Sequence, residues 1–281
     1  MIAARPDLLI IGGLAIDRLA NGSLVAGGSV LHGARAVVAS GQRIATITAA
    51  GPEPEAAAAL AELAALGRSL ASLTHASIRY AIQDRGPRRG LVLESGGAPL
   101  AVEAADLAAI NPAAVLLAPI AGELTSQAAR ACAMVPVRVA ALQGWLRRLL
   151  PGEEVRPLPL HALDDELSRD LANLDALVAS DEDLAAVAPV PRRQLEQLRA
   201  HFGPGPLLVI TTGRRGAWLD SQVTGPRKLP IVPALTGIST LGAGDAFAAL
   251  LAIGLGAALD PLAATTAALS GTVTYLGARR S

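Results

Sequence analysis

The sequence predicts an α/β protein built around a parallel β-sheet. Apolar runs of strand length alternate with stretches of helical periodicity, hydrophobic residues make up 52% of the 281 residues, and only 17% are charged. A large core is therefore available, and Ala, Leu and Val must build it because aromatic residues make up only 2%. One domain over residues 1–281, with a small β excursion, is the simplest architecture.

The first part of the chain contains a strand–helix–strand unit. Asp7–Gly13 is a short apolar run that ends in glycines, which is typical of a buried strand and a turn. Gly28–Gly41 has apolar residues at helical spacing and stops at a glycine, and Arg43–Gly51 has the composition of the next strand. Together these segments predict a parallel βαβ unit, and the Ala-rich stretch Glu55–Leu66 predicts a second helix.

The middle of the chain interrupts this alternation. In Ser77–Ser95, two β-rich pieces flank the charged, turn-like sequence DRGPRRG, which predicts a hairpin in a small side sheet. Four apolar runs follow, and each has the length of a buried strand: AVLLAPI, VRVAAL, LDALVAS and PLLVITTG. From Asp245 onward the pattern is helical. The alternation of strands and helices thus resumes after the hairpin and again indicates a parallel sheet.

The balance of charged residues excludes several classes of protein. The 24 basic and 24 acidic residues give a formal net charge of zero, so the charge does not predict binding to nucleic acid. Lys228 is the only lysine, and its surroundings, GPRKLP, do not fit the phosphate-binding loop of the P-loop kinases. Schiff-base and pyridoxal-phosphate enzymes need a lysine nucleophile, and the sequence around Lys228 does not fit such an enzyme either.

The cysteine and histidine residues and the N-terminal sequence bear on location. Cys132 is the only cysteine, so no internal disulfide can form, which fits a reducing cytoplasm. The four histidines are scattered and form no cluster with the spacing of a structural zinc site. We see neither a signal-peptide pattern nor a clearly apolar stretch of membrane-spanning length. We therefore expect a cytoplasmic protein that binds neither membranes nor nucleic acid.

The segment Gly242-Ala243-Gly244-Asp245 is the strongest candidate for chemistry. Its glycines let backbone N–H groups approach a ligand closely, and an apolar, helix-like stretch follows it. Because N–H groups are unpaired and the dipole is positive at a helix N-terminus, this position suits a phosphate. An acid there suits proton abstraction from a hydroxyl that attacks the phosphate, and the dipole would keep it ionised and only modestly basic. A capped structural helix after a glycine turn explains the same spacing.

Three segments resemble signatures of the PfkB/ribokinase family of carbohydrate kinases, and they stand in the family's order. STLGAGDAFAALLAIGL resembles its C-terminal signature, D-T-x-G-A-G-D followed by an apolar helix. AGGSVLHGARAVVASGQRIATITAAG resembles its N-terminal Gly-Gly signature, and VITTGRRGAWL resembles its T-x-G-x-x-G nucleotide segment. The resemblance implies a ribokinase-like three-layer α/β/α fold, with a central, mostly parallel sheet and a small β lid near residues 18–26 and 77–95.

The resemblance also implies roles for individual residues. Asp245 would be the catalytic base, and an anion hole for the transferred phosphate would come from the backbone N–H groups of Leu241, Gly242, Ala243 and Gly244. ATP and magnesium would be held near Thr211, Gly213, Gly216, Ser180 and Asp183. The hydroxyls of the acceptor would contact Asp17, Gly27, Gly28 and His32.

Four positions depart from the family pattern. Ser239 stands where the C-terminal signature has its first Asp. The family's N-x-x-E motif, which is linked to magnesium and phosphate, corresponds to SDED, with Ser180 and Asp183 at its ends, so Asp183 keeps the charge and would handle Mg²⁺ through water. His32 replaces the Asn that is common after the Gly-Gly pair, which argues against ribokinase-like sugar specificity. The short lid and VASDED are similar to inositol-kinase-like members.

We therefore predict an ATP-dependent, magnesium-requiring kinase. Its acceptor would be a hydroxyl of a small sugar, an inositol-like polyol or a nucleoside, and the protein would be a monomer or a homodimer. The departures from the family pattern leave open a catalytically silent member of the same fold that binds ligands or regulates. A Rossmann-type dehydrogenase is disfavoured, because GAGDAF lacks the third glycine of G-x-G-x-x-G and does not follow a clear strand.

Overall fold

Strands and helices alternate along the computed structural model, which describes residues 5–85, 88–231 and 240–279. The strands are β1 Leu8–Gly12, β2 Ala15–Arg18, β3 Leu24–Gly27, β4 Ile44–Ala50, β5 Arg68–Leu73, β6 Ile78–Arg85, β7 Arg88–Ser95, β8 Ala114–Ala118, β9 Val137–Ala141, β10 Arg147–Arg148, β11 Arg156–Pro157, β12 Ala176–Ser180, β13 Leu207–Thr211, β14 Ala217–Asp220 and β15 Arg227–Leu229. The helices are α1 Ser29–Ala39, α2 Pro54–Leu66, α3 Ala104–Ile110, α4 Ser126–Ala131, α5 Asp165–Ala172, α6 Pro191–Phe202, α7 Ala243–Gly256 and α8 Pro261–Ala278.

A nine-stranded central sheet has the order β15-β14-β13-β12-β9-β8-β1-β4-β5. Neighbouring strands are parallel from β13 to β5, whereas β14 and β15 pair antiparallel at one edge. Parallel neighbours need crossover connections, and helices such as α1, between β1 and β4, supply them. The predicted α/β fold with a mostly parallel central sheet is therefore confirmed.

Strand β1 shows why helices cover both faces of this sheet. Leu8 and Ile10 point into a core that they share with α1, α2, α7 and α8. Leu9 and Ile11 point the other way, into a core that they share with α3, α4, α5 and α6. Successive side chains of a strand alternate between faces, so a strand buried on both sides needs a continuous apolar run, as here. The result is a three-layer α/β/α arrangement.

The strand order reverses at β1, which creates a crevice for a ligand. Strands β4 and β5 extend the sheet on one side of β1, and β8, β9, β12 and β13 extend it on the other. In such sheets, ligands bind beyond the carboxyl ends of the strands at the reversal. Gly12 ends β1 there, where a Cβ would lie 2.1 Å from the carbonyl oxygen of Ala118 at the end of β8. The glycine therefore permits the close approach of the two strand ends.

A second sheet has four strands in the order β3-β2-β6-β7. Strands β6 and β7 form the hairpin that the sequence predicted over Ser77–Ser95, apart from residues 86 and 87, which lie outside the described residues. Strand β2 pairs with β6 in parallel and with β3 antiparallel, so the segment near residues 18–26 joins the same sheet. Ile78, Tyr80 and Leu93 belong to its own small core.

An edge strand of the central sheet was not evident from the sequence. Strand β5, RSLASL, lies at the edge of the central sheet and is largely exposed, so it has no apolar run that reveals it. The C-terminal apolar sequence, by contrast, breaks at Asp260-Pro261 as its pattern predicted, into helices α7 and α8, and Asp260 caps the start of α8. Its Oδ1 accepts hydrogen bonds from the N–H groups of Leu262 and Ala263, each at 2.9 Å.

Candidate active site

The turn at Gly242 begins helix α7 directly against helix α1. Gly242 has φ 77° and ψ 7°, a left-handed conformation that favours glycine. Its carbonyl oxygen accepts a hydrogen bond from the Ala246 N–H at 3.0 Å. A Cβ on Gly242 would lie 2.4 Å from Cγ of His32, so the position has no room for a side chain. Asp245 follows in the first turn of α7.

The backbone N–H groups of this turn are only partly available to a ligand. The Ala243 N–H donates to the carbonyl oxygen of Thr240 at 3.1 Å and closes the turn. Gly244 is exposed, and its N–H donates to no residue within the described ranges. Nη1 of Arg279, just beyond α8, donates to the carbonyl oxygen of Leu241 at 2.9 Å. Of the amides predicted for the anion hole, that of Gly244 is the most clearly free.

The carboxyl group of Asp245 is more basic than that of an ordinary aspartate. Burial raises the pKa of Asp245 to about 6, while the positive charge of Arg147 opposes the rise and the negative charge of Asp183 adds to it. The helix N-terminus predicted an ionised acid that is a modest base, and desolvation is the largest cause of the rise in its pKa. An acid with this pKa is mostly ionised at neutral pH and still accepts a proton readily.

Asp17, on β2, is the acid predicted for the acceptor side. It is buried, and a Cβ on Gly27 would lie 2.6 Å from its Oδ2, so the glycine leaves room for the carboxylate. Burial raises the pKa of Asp17 to about 6, and the negative charge of Asp245 adds to the rise. Gly28 has φ 93° and starts α1 next to Gly27. Residues from the two ends of the sequence therefore lie within electrostatic reach of each other.

His32 lies between these two groups of residues. Its ring faces Gly242, and its Nε2 would lie 3.6 Å from a Cβ on Gly27. The side chain is only 4% exposed, and neither ring nitrogen has a hydrogen-bond partner among the described residues. Burial lowers the pKa of His32 to about 4, and the charges of Arg35 and Arg279 lower it further, so the imidazole is neutral at pH 7. Its contact with an acceptor stays a prediction.

A second acidic element follows strand β12. Ser180 Oγ donates to Oδ2 of Asp183 at 2.6 Å and accepts from the Asp183 N–H at 3.0 Å. The other carboxylate oxygen, Oδ1, accepts from Nε of Arg147 at 2.9 Å and lies 2.8 Å from its Nη2. Both oxygens of Asp183 are therefore engaged. Within the described ranges, no group of three or more His, Cys, Asp or Glu side chains could hold a metal ion.

The predicted nucleotide segment forms a tight turn between β13 and β14. Thr212 Oγ1 donates to the carbonyl oxygen of Gly216 at 2.9 Å. Gly213 and Gly216 have φ values of 56° and 94°, and a Cβ on Gly216 would lie 1.9 Å from the carbonyl oxygen of Leu229 on β15. The turn itself therefore requires a glycine at Gly216, and Thr211 ends the strand that leads into it.

A cavity of about 90 Å³ lies between this turn and the start of α7. Thr211, Gly213 and Gly216 line it on one side, and Ala243 and Gly244 line it on another. Its apolar wall is formed by Ile231, Phe247, Leu269, Val273 and Leu276. The fold therefore brings the nucleotide segment and the glycine turn to one cavity, although they are far apart in the sequence.

Arg147 and Arg279 are candidate functional residues that the sequence did not reveal. Neither belongs to a motif, and each reaches the site by contacting a residue that is distant in the sequence, Asp183 and Leu241 respectively. The one available signal was compositional, because a chain with a single lysine must bind anions mainly through arginine. Ser239, by contrast, lies outside the described residues.

One protein family matches part of the sequence. Residues 153–273 match the family described as pfkB family carbohydrate kinase. The matched part contains Ser180, Asp183, the turn after β13 and the start of α7. No curated protein matches the chain.

Solved structures share the fold over nearly the whole chain. A pyrophosphate-dependent kinase in the ribokinase family, in complex with a pyrophosphate analog and myo-inositol, has a TM-score of 0.79 at 19% identity over 96% of this chain and 94% of its own. Arabidopsis thaliana ribokinase, in complex with ribose and ATP, has a TM-score of 0.72 at 18% identity over 96% and 92%. Ribokinase from Thermotoga maritima has a TM-score of 0.68 at 13% identity over 96% and 91%. These likenesses show the ribokinase fold.

Proposed function

Because the chain belongs to the PfkB family of carbohydrate kinases, as its motifs predicted, we propose that it transfers a phosphoryl group from ATP to a hydroxyl of a small sugar, an inositol-like polyol or a nucleoside. One observation carries this proposal. Asp245 lies in the first turn of α7, within electrostatic reach of Asp17, and burial raises its pKa to about 6. A base next to an anion-binding turn is what phosphoryl transfer to a hydroxyl requires.

Each residue of the site then has a part in the reaction. Asp17 accepts a hydrogen bond from a hydroxyl of the acceptor and orients it. Asp245 takes the proton of the attacking hydroxyl as the new oxygen–phosphorus bond forms. The Gly244 N–H and the N-terminus of α7 stabilise the negative charge on the transferred phosphoryl oxygens. The four-stranded sheet acts as the lid that limits access of water.

The apolar cavity supports ATP as the phosphoryl donor. An apolar wall next to the nucleotide turn suits the flat face of a nucleobase, which gains by leaving water. Pyrophosphate has no apolar part, so a site built only for pyrophosphate has no use for this wall. One similar structure is that of a pyrophosphate-dependent kinase, so both donors have to be considered. The apolar wall favours ATP.

The site offers Mg²⁺ few protein ligands. Mg²⁺ keeps several waters and is commonly held by one or two carboxylates together with the phosphates of the substrate. Asp183 is the acid that would face it, but both of its oxygens already accept hydrogen bonds from Arg147 or Ser180. Asp183 would therefore hold Mg²⁺ through bound water, and the phosphate oxygens of ATP would supply the remaining ligands. The ion would neutralise charge on the donor.

A larger side chain in the apolar cavity should weaken ATP binding. We expect Val273→Phe to raise the KM for ATP about tenfold, a loss of about 1.4 kcal/mol in binding, because the ring fills space meant for the base. The KM for the acceptor should stay within about twofold of the wild-type value. Steady-state kinetics with each substrate varied in turn measure both constants.

Thr274→Phe is the matched control, because Thr274 is the next residue of α8 and is exposed. It should leave both KM values unchanged. If Val273→Phe and Thr274→Phe have the same KM for ATP, the cavity does not hold the base. Thermal unfolding of both variants separates this effect from a loss of stability caused by overpacking.

The proposed activity is tested with purified protein and a panel of sugars, inositols and nucleosides. With ATP and Mg²⁺, at least one acceptor should raise ADP formation well above the rate without acceptor. The same panel with pyrophosphate in place of ATP tests the other donor. If no acceptor raises ADP formation, and calorimetry detects nucleotide binding, the catalytically silent alternative is favoured.

Cys132 and the helices bear on the location of the protein. The buried thiol of Cys132 agrees with a reducing compartment, and we propose a cytoplasmic protein that acts on small molecules as a monomer or a homodimer. None of the helices in the described part of the chain is long and apolar enough to cross a membrane.

A further inference from the structure

Arg147 is a buried cation whose role is not explained by the family motifs. Its side chain is 15% exposed, and that of its ion-pair partner, Asp183, is 6% exposed. The residue lies on the short strand β10, which pairs with β11. Burying an ion pair is costly unless the charges have further hydrogen bonds or a function. The surroundings of this guanidinium therefore bear on its role.

The partners of Arg147 use only one edge of its guanidinium. Nε and Nη2 both approach Oδ1 of Asp183, at 2.9 and 2.8 Å, and Ser180 fixes the other oxygen of that carboxylate. Nη1 donates to no residue in the described ranges. Asp183 and Ser180 therefore orient the guanidinium and leave two N–H donors of Nη1 for another ligand.

The guanidinium of Arg147 lies close to Asp245, the proposed catalytic base. Its charge is felt by Asp245, and also by Tyr80 in the four-stranded sheet, whose pKa burial raises and Arg147 lowers. Asp245 also interacts electrostatically with two other acids, Asp17 and Asp183. These acids repel a phosphate that enters the region unless a cation faces it. The only lysine of the sequence, Lys228, is exposed on β15.

We propose that Arg147 binds the phosphoryl group in transfer, with its Nη1 edge donating to the nonbridging oxygens, and that Asp183 and Ser180 are positioning residues for it. This inference rests on the proposed kinase activity. In the step, the acceptor oxygen bonds to the γ-phosphorus, the bond from that phosphorus to the β–γ bridging oxygen breaks, and ADP leaves with the electron pair. The acceptor proton goes to Asp245. Arg147 stabilises the oxygens that carry the charge.

The inference predicts that Arg147 distinguishes ATP from ADP. Calorimetry should show that Arg147→Met lowers the affinity for β,γ-imido-ATP by about ten- to a hundredfold, the effect of losing a charge-assisted hydrogen bond, and changes the affinity for ADP less than threefold. The kcat should fall by about 10²-fold or more, as for arginines that stabilise phosphoryl transfer. Arg147→Lys should recover part of both losses.

Two further measurements separate this role from a structural one. Arg148→Met is the matched control, because Arg148 is the neighbouring residue, with a side chain 54% exposed and paired with Glu153. It should bind both nucleotides as the wild type does. In Arg147→Met, the acidic limb of the kcat/KM profile should also move to higher pH, because the charge that lowers the pKa of Asp245 is gone.

The outcomes distinguish the inference from the function on which it rests. A wild-type protein that binds neither nucleotide and uses no acceptor overturns the proposed kinase activity. A wild-type protein that is active, with Arg147→Met binding β,γ-imido-ATP as tightly as before or losing both nucleotides equally, overturns the role of Arg147 alone. If Arg147→Met does not fold, as judged by thermal unfolding, Arg147→Lys provides the same comparison.

Discussion

Replacing Asp245 with Asn is expected to lower kcat by about 10²–10⁴-fold, the contribution of a positioned general base. Asn keeps the shape and hydrogen-bonding capacity of the side chain but cannot accept the proton of the acceptor hydroxyl. The first turn of α7 and the contact of Gly242 with His32 should be unchanged. The affinity for ADP should therefore stay within a few fold of the wild-type value. Kinetics and calorimetry on the same preparation measure the two quantities.

The same variant is expected to be more stable than the wild type at neutral pH. Burial raises the pKa of Asp245 from 3.8 to about 6, so the folded protein prefers the neutral carboxyl and ionisation destabilises it. The destabilisation grows as the pH rises from about 4 to about 6 and is fully present at pH 8. Asn removes it. We expect the free energy of unfolding to rise by about 1 kcal/mol, which corresponds to about 2–4 °C in the thermal midpoint.

Asp106→Asn is the control for this prediction, because Asp106 is also an acid in the first turn of a helix, α3, away from the site. It should lower neither kcat nor the affinity for nucleotide. The thermal midpoint of Asp245→Asn should exceed that of the wild type more at pH 8 than at pH 5. An Asp245→Asn protein with wild-type kcat means that another group takes the proton.

The sequence predicted the parts of this molecule that are local, and it missed those that depend on contacts across the fold. The buried strand β1 was visible because burial on two faces leaves a continuous apolar run, and helix α1 was visible because its apolar residues recur at helical spacing. Strand β5 was not visible, because an exposed edge strand carries no such pattern. The glycine turn at Gly242 was visible because left-handed backbone favours one residue type.

The candidate site shows the same division. Asp245 and Thr211 belong to motifs of consecutive residues, so the sequence sufficed to predict roles for them, and those roles stay predictions. Arg147 was missed, because its importance rests on an ion pair with Asp183, 36 positions along the chain. The rise in the pKa of Asp245 was also not predicted, because the desolvation of a carboxyl group depends on what packs around it in the fold.

Gly242→Ala is expected to lower kcat by about 10²-fold, because it would displace the turn whose amides we propose to bind the transferred phosphoryl group. The new Cβ would lie 2.4 Å from Cγ of His32 and 2.6 Å from its Nδ1, and a buried ring cannot move aside easily. Alanine also pays about 1–2 kcal/mol for the left-handed conformation at φ 77°. Because Asp245 lies three residues later, a shift of the turn moves the base as well.

Two comparisons separate the steric effect from the backbone effect. Gly41→Ala places the same residue at φ 80° with nothing within 4 Å of its Cβ, so it carries only the conformational cost and should leave kcat unchanged. In a double-mutant cycle, His32→Ala should make Gly242→Ala less damaging, because it removes the ring that the new Cβ meets. If the two substitutions are additive in both kcat and unfolding free energy, the packing of His32 against Gly242 does not hold the turn in place. Strong coupling instead makes this buried, neutral histidine a positioning residue for the phosphate side of the site.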